Sequence, residues 1–391
     1  MIAVLLISST AQAEGMIDIT PFVAANVAYD DNVFRFSNPE QAKAAFGSEV
    51  TSDVIKRVDL GVNVNVNLSR QVFTLASSIN ESRYDRFTIL DNIGKSNRLG
   101  WSWRLGNHLY GELNASESEA IAGFTEIRQP VKNLRTISSR NGSFNWNLHP
   151  DWTINASGGQ SKIENGLANF NFANREDEFL ETGMRYKNPQ GTQLGLAYRI
   201  LDSDFPDRSS SFITFLGDES IRKDMIIQAA WQPTAKTKLA VRISHVDIKF
   251  KDIPQRDFKG VSQRWDLDYV LTGKTMINFT AYQDVGPAEE ALSNYIESKG
   301  FGLNPVWNPT SKISVRAGWG YEERDFLGNP GVLLNDSNRY DESTIANLSL
   351  SYLPTRKSLV QIQYQGQNRK SNVTNFVFKF NTINLTMRYD F

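Results

Sequence analysis

The chain's only imidazoles are His108, His149 and His245, and it has no cysteine. Without thiols there is no disulfide scaffold, iron–sulfur cluster or thiolate zinc site. His108 and His149 fall in short polar turns. His245 follows Leu239, Val241 and Ile243 on one parity, near a strand's outer end. None stands where it would orient a nucleophile. There is no H-E-x-x-H, no G-x-S-x-G and no glycine-rich phosphate loop. No catalytic, cofactor or metal residue is therefore assigned, and the chain is not expected to be an enzyme. One acidic cluster, Asp30-Asp31-Asn32, follows Tyr29. Its oxygens could seat calcium, but a solvated loop entrance accounts for it better.

The remaining polar residues are strung out at every second position. In VDLGVNVNVNLS, Val58, Leu60, Val62, Val64, Val66 and Leu68 share one parity, and Asp59, Gly61, Asn63, Asn65 and Asn67 share the other. Successive strand side chains point to opposite faces, so such a segment is a strand with one apolar and one wet face. The pattern recurs in LGWSWRL (99–105), ISVRAGWGYE (313–322) and LVQIQYQGQ (359–367). The wet parity carries Asn63, Asn65, Arg98, Arg104, Arg199, Arg242, Arg316, Arg388, Glu322, Gln361, Gln363 and Gln365, with Asp59, Glu112, Asp266 and Asp268. Amides donate and accept at once, which suits sugar hydroxyls, although a merely hydrated barrel interior accounts for any one of these residues at least as well.

Eight short turns punctuate these runs: LSRQ (68–71), LGNH (105–108), LHPDW (148–152), NPQG (188–191), WQPTAK (231–236), LTGK (271–274), WNPTSK (307–312) and YLPTRK (352–357). Longer polar segments alternate with them, at 31–51, 120–131, 164–174, 203–219 and 326–340. Alternating short and long connections are how outer-membrane barrels treat their periplasmic and outer sides. Eight turns join sixteen strands, and one strand near 20–31 and one near 376–391 make about 18 in meander order. The fold expected is an all-β transmembrane barrel. A propeller shares the ~40-residue period, but its blades need four short strands where each unit here holds two long ones. Pro305 cannot donate to a ladder, so a rim bulge is expected there.

Trp146, Trp152, Trp231, Trp307 and Tyr352 lie beside the short turns, as a periplasmic aromatic girdle would. Tyr29, Phe34, Tyr84, Phe87, Phe250 and Phe258 mark the opposite strand ends. Charge nearly cancels, at 42 basic against 43 acidic residues, so no nucleic-acid partner is expected. Residues 1–13 are taken as a signal peptide, from the apolar IAVLLIS and the AQA at 11–13, with the true start upstream of Met1. That leaves 14–391 as a single barrel domain, delivered through the periplasm to a Gram-negative outer membrane. Outer-membrane lipid and the outer-membrane insertion machinery would be its partners. In INLTMRYDF, Tyr389 and Phe391 end an amphipathic last strand of the kind that machinery reads.

Several phrases carry a family likeness: YDDNVF (29–34), SRYDRF (82–87) paired with LDN (90–92), RLGNHLYGEL (104–113), LHPDWTINA (148–156), QRDFKG (255–260), WNPTSKISVRAGWGYEERDFLGNPG (307–331) and YLPTRKSL (352–359). The chain resembles the EpsL-type outer-membrane proteins of exosortase-B-associated exopolysaccharide clusters. The resemblance implies a role in exopolysaccharide biosynthesis and export, with the polymer and inner-membrane synthesis and export proteins as partners. It carries over no catalytic residue. It leaves as the leading expectation a passive conduit for the polymer, as its rival a barrel plugged by its loops that anchors or assembles other components, and as a weaker third an outer-membrane enzyme. Deleting Phe391 is expected to impair insertion. Heat-modifiable mobility and outer-membrane fractionation measure this, and an undiminished yield of folded barrel would contradict it.

Overall fold

The computed structural model describes residues 16–125, 130–287, 295–328 and 339–391. The expected signal peptide, 1–13, lies outside the described residues, as does most of the segment 326–340. The alternating runs form eighteen strands: β1 (Ile17–Asp30), β2 (Asp53–Leu68), β3 (Gln71–Tyr84), β4 (Asn92–Leu105), β5 (Leu109–Ile121), β6 (Leu134–His149), β7 (Trp152–Asn165), β8 (Arg175–Lys187), β9 (Gln193–Asp204), β10 (Glu219–Thr234), β11 (Thr237–Phe250), β12 (Phe258–Thr272), β13 (Thr275–Pro287), β14 (Tyr295–Trp307), β15 (Ile313–Leu327), β16 (Tyr340–Tyr352), β17 (Ser358–Ser371) and β18 (Phe378–Asp390). Two short helices, α1 (Pro39–Phe46) and α2 (Ser210–Leu216), lie in the long connections.

Each strand pairs antiparallel with its chain neighbours, and β1 pairs with β18, so the sheet is a closed meander. The seam runs in register from Phe22 opposite Asp390 to Asp30 opposite Thr382. Phe391 extends it, donating its N–H to the Pro21 carbonyl at 2.9 Å. Closure leaves no unpaired strand edge, which hydrocarbon would not tolerate.

Register fixes which face is which. Val64 lies opposite Ile19 on β1 and Leu75 on β3, and Leu75 lies opposite Leu99 on β4. This parity bears the exposed large hydrophobics, among them Leu60, Leu99, Trp101 and Ile362. The opposite parity makes contacts between strands that are not neighbours. Arg242 Nη2 on β11 donates to Glu181 Oε2 on β8 at 2.9 Å, and Arg185 Nη2 on β8 donates to the Tyr110 hydroxyl on β5 at 3.4 Å. Side chains three strands apart meet only across the concave side, so the polar parity is the interior.

A tilted strand crosses hydrocarbon in about 9–11 residues. The strands here reach 16, as in β2 and β6. The surplus stands at the outer end, where charges occupy the outward parity in pairs such as Lys162–Glu176 at 2.8 Å and Lys259–Asp247 at 3.0 Å.

Three sequence expectations are corrected. Pro305 makes no bulge: register is unchanged from Leu303 opposite Trp319 to Val306 opposite Arg316, and the ladder to β15 simply skips two residues. The segment WQPTAK is strand as far as Thr234, with an irregularity between Trp231 and Thr234. The aromatics at the outer strand ends are not one set. Tyr29 faces out, like the turn-side Trp231 and Trp307, which are 52% and 50% exposed, but Phe34 is fully buried and Phe87, Phe250 and Phe258 are nearly so. Loop or inward positions send these rings into apolar clusters at the outer mouth.

An arginine on the lipid face near the bilayer midplane costs about 2–4 kcal/mol, whereas interior positions tolerate charge. Val64→Arg is therefore expected to lower stability and insertion, and Asn63→Arg to leave folding nearly intact. Urea titration of refolded barrel measures both. Equal effects of the two substitutions would contradict the assigned register.

Candidate functional site

At the outer mouth, the acidic cluster after Tyr29 is a buried corner, not the solvated loop entrance expected from the sequence. Asp30 Oδ1 takes the Asn32 N–H at 2.9 Å and the Arg35 guanidinium at 2.8 Å, and Oδ2 takes the Thr382 hydroxyl at 3.1 Å. Asp31 accepts the backbone and side-chain N–H groups of Asn381, both at 2.7 Å. Asn32 donates to the Lys379 carbonyl at 3.0 Å and to the Phe36 carbonyl at 2.8 Å. The corner thus ties the first long connection to β18. Arg35 holds a left-handed backbone with φ of 58°, while its guanidinium lies 3.5 Å from the Phe380 ring centre. Such a backbone costs about 1–2 kcal/mol in a residue with a Cβ, and the ion pair and ring contact offset it.

The shorter outer connections share one device. Asp91 accepts the Tyr84 N–H at 2.8 Å and the Arg83 guanidinium at 3.0 Å. Asp257 accepts the Phe250 N–H at 2.9 Å and the Lys249 ammonium at 2.8 Å. In each case a single 3-10 turn lies between, at Thr88–Leu90 and at Pro254–Arg256. The Tyr84 N–H, followed by Arg83, holds the Asp91 carboxyl below the usual carboxylate range. The phrases SRYDRF, LDN and QRDFKG therefore encode loop closure.

Two apolar caps form over the mouth. In the first, Phe34 packs on Phe87 at 4.9 Å and on Phe124 at 4.7 Å between ring centres, and Arg369 on β17 reaches the Thr125 carbonyl at 3.4 Å. In the second, Phe172 stacks on Phe212 at 4.8 Å, and Arg208 and Arg256 both donate to the Leu216 carbonyl, at 3.3 and 2.9 Å. Burial pushes the Arg256 guanidinium down to about 10.

Below the caps two stretches of the interior wall differ in character. From β16 through β3, mid-strand inward positions are mostly neutral: Asn347, Ser349, Gln361, Gln363, Gln365, Asn384, Thr386, Asn26, Asn63 and Asn65. Gln361 donates to Ser349 at 2.8 Å and to Ser351 at 3.1 Å, and Asn26 donates to Thr386 at 2.8 Å. Gln363 and Gln365 lie opposite Asn384 and Thr382 on the same face. Arg98 joins Asn63, Asn65 and Arg388 around a cavity of about 450 Å³. Arg104 lies over Tyr110 at 5.6 Å, beside Glu112. Arg316 lies opposite Ser349, apart from these groups.

The other wall, from β8 to β15, is ionic. Arg199, Arg242 and Glu322 come together around a cavity of about 420 Å³. Arg222, Asp224, Arg264 and Tyr282 also line it and were not singled out from the sequence. Parity would have supplied Arg264, which alternates with Trp265 just as Asp266 does. Arg222 and Asp224 bracket an outward Lys223, which hides the alternation. Tyr282 donates to Glu322 Oε2 at 2.5 Å by lying across Gly300, where a Cβ would meet the ring at 2.7 Å. The three histidines stay away from both walls. His108 and His149 sit at the short turns, and His245 faces outward opposite Met225 and Val261. Among the described residues no group of three or more His, Asp or Glu side chains is placed to hold a metal ion.

No family model matches the chain, and no curated protein matches its sequence. Its fold is similar to that of OccAB3 from Acinetobacter baumannii, with a TM-score of 0.52 at 9% identity over 96% of this chain and 99% of that one. It is similar also to OccK1 (OpdK) from Pseudomonas aeruginosa, with a TM-score of 0.51 at 9% identity over 96% and 100% of the two chains. OccK2 (OpdF) from the same organism gives 0.51 at 12% identity over 95% and 97%. The chain has the fold of the outer-membrane β-barrel proteins of Gram-negative bacteria, and that fold implies embedding in outer-membrane lipid.

Proposed function

We propose that this protein is an outer-membrane component of exopolysaccharide biosynthesis and export, acting as a passive conduit for the polymer. The observation that supports this reading is the neutral interior wall. Its amides and hydroxyls run along neighbouring strands, and each amide can both donate to and accept from a sugar hydroxyl. Exchanging water for such contacts is nearly neutral in free energy, so a chain of sugars can advance without being trapped. The sequence has no nucleotide-binding motif, so the driving energy belongs to inner-membrane partners. An 18-stranded barrel is wide enough for an aqueous channel.

A second reading is favoured by the caps. The connections 31–52 and 85–91 and residues 122–125 pack over the mouth through Phe34, Phe87 and Phe124. On that reading the barrel is closed by its own loops and anchors or assembles other components. The two readings differ in conductance: the purified full-length barrel in a planar bilayer should pass ions if it is a conduit and should not if the caps seal it. In cells, Gln361→Trp with Gln363→Trp should lower surface polysaccharide at unchanged barrel abundance. Polysaccharide at the wild-type level, with the variant folded in the outer membrane, would overturn the conduit.

A further inference from the structure

The ionic wall contains an arrangement that stability alone does not favour. Arg242 on β11 lies directly opposite Arg264 on β12. Like charges directly opposite across an antiparallel pair are destabilising. Nearby carboxylates relieve the two separately. Arg242 bonds Glu181 at 2.9 Å, and Arg264 bonds Asp266 through Nε at 2.8 Å and Nη2 at 3.0 Å. Arg222 bonds Asp224 at 2.8 Å, and Glu322 is taken by Tyr282 at 2.5 Å and Arg324 at 2.6 Å.

These pairings leave Arg199 out. It lies directly opposite Glu181 on one side and Asp224 on the other, yet both carboxylates are engaged by other arginines. Among the described residues Arg199 makes no ion pair. Its Nε is buried without a hydrogen-bond partner, and its guanidinium lies 4.7 Å from the Phe179 ring centre. A buried donor left without a partner costs stability. The cavity that Arg199, Arg222, Arg242 and Arg264 share holds about 420 Å³, room for a single sugar residue. Of its carboxylates, Asp224 and Glu322 are spent on neighbours, and Asp284 takes the Ser262 hydroxyl at 2.5 Å and stands 3.9 Å from Arg222, while every guanidinium keeps N–H groups in excess of its bonds.

We infer that this cavity is a binding subsite for a carboxylated sugar, whose carboxylate takes the terminal Nη1/Nη2 fork of Arg199 while Ser244 and Ser298 meet its hydroxyls. A guanidinium matches a carboxylate bidentately, and flanking hydroxyls suit a sugar ring better than a bare inorganic anion. The inference rests on the conduit reading and deepens it: the polymer would carry uronic-acid units, steered along the ionic wall while neutral units pass the amide wall.

The test is calorimetric titration of the full-length barrel in detergent micelles with galacturonate, galactose and inorganic phosphate. Galacturonate should bind at least tenfold more tightly than galactose or phosphate. Arg199→Gln should weaken galacturonate binding tenfold or more, and Arg356→Gln, in a short turn away from the cavity, should leave it unchanged. Arg199→Lys keeps the charge without the fork and should lose most of the affinity, which serves if the glutamine variant fails to fold. Equal binding of galactose, tighter binding of phosphate, or full affinity in both Arg199 variants would overturn the subsite. Bilayer recordings separate this from the conduit itself. Binding without conductance would overturn the conduit and uphold the site, whereas conductance without galacturonate binding would do the reverse.

Discussion

Every part of this molecule follows from one constraint: a backbone crossing hydrocarbon must satisfy its own N–H and C=O groups. A sheet meets it only by closing, and the β1–β18 seam closes this one. Closure divides the side chains by parity into a lipid face and an enclosed face. The lipid face has to be apolar through the bilayer. The enclosed face is free of that demand and can carry arginine, glutamate and amides that no soluble core of this size would accept unpaired. The polar interior is thus a permission granted by closure, and the chain uses it differently on its two sides.

On the neutral side hydrogen bonds are local, between adjacent strands, as in Gln361 with Ser349 and Asn26 with Thr386. On the ionic side they leap across strands, as from Arg242 to Glu181 and from Tyr282 over Gly300 to Glu322. Four guanidinium groups gather around one cavity, and among the described residues no carboxylate answers Arg199. The closure of the barrel rests on its backbone ladders and not on this arrangement.

The period-two pattern made the architecture legible. Val58 to Leu68, Leu99 to Leu105 and Ile383 to Phe391 each declare a face, and the turns count the strands. Parity also assigned Asn63, Arg98, Arg242 and Gln361 to one face without any structure. What it could not supply was anything decided between strands far apart in sequence. Phe34 and Phe87 looked like girdle residues because an aromatic at a strand end has the same local signature whether it meets lipid or another ring. Asp30 looked solvated because Thr382 and Asn381, which help bury and bond its corner, lie at the far end of the chain. Pro305 asked for a bulge by a local rule, but a closed ladder can drop two residues' pairing without losing register. Which carboxylate serves which arginine was likewise invisible, since Glu181 ignores its direct opposite, Arg199, in favour of a residue two strands further on.

The corner at Asp30-Asp31-Asn32 has a consequence for the order of events during assembly. Its partners Lys379, Asn381 and Thr382 are about 350 residues downstream, on the last strand to be made. Contacts so distant in sequence form late, after the intervening loop has been closed by other pairings. The Asp30-Asp31-Asn32 corner is therefore synthesised early and locked last, when β18 meets β1, although Phe34 finds Phe87 and Phe124 on nearer connections. Until that moment the nascent barrel has an open corner and an unsealed side. Sealing of the wall and locking of this corner are a single event, so an incompletely zipped barrel leaves Asp30, Asp31 and Asn32 without their β18 partners.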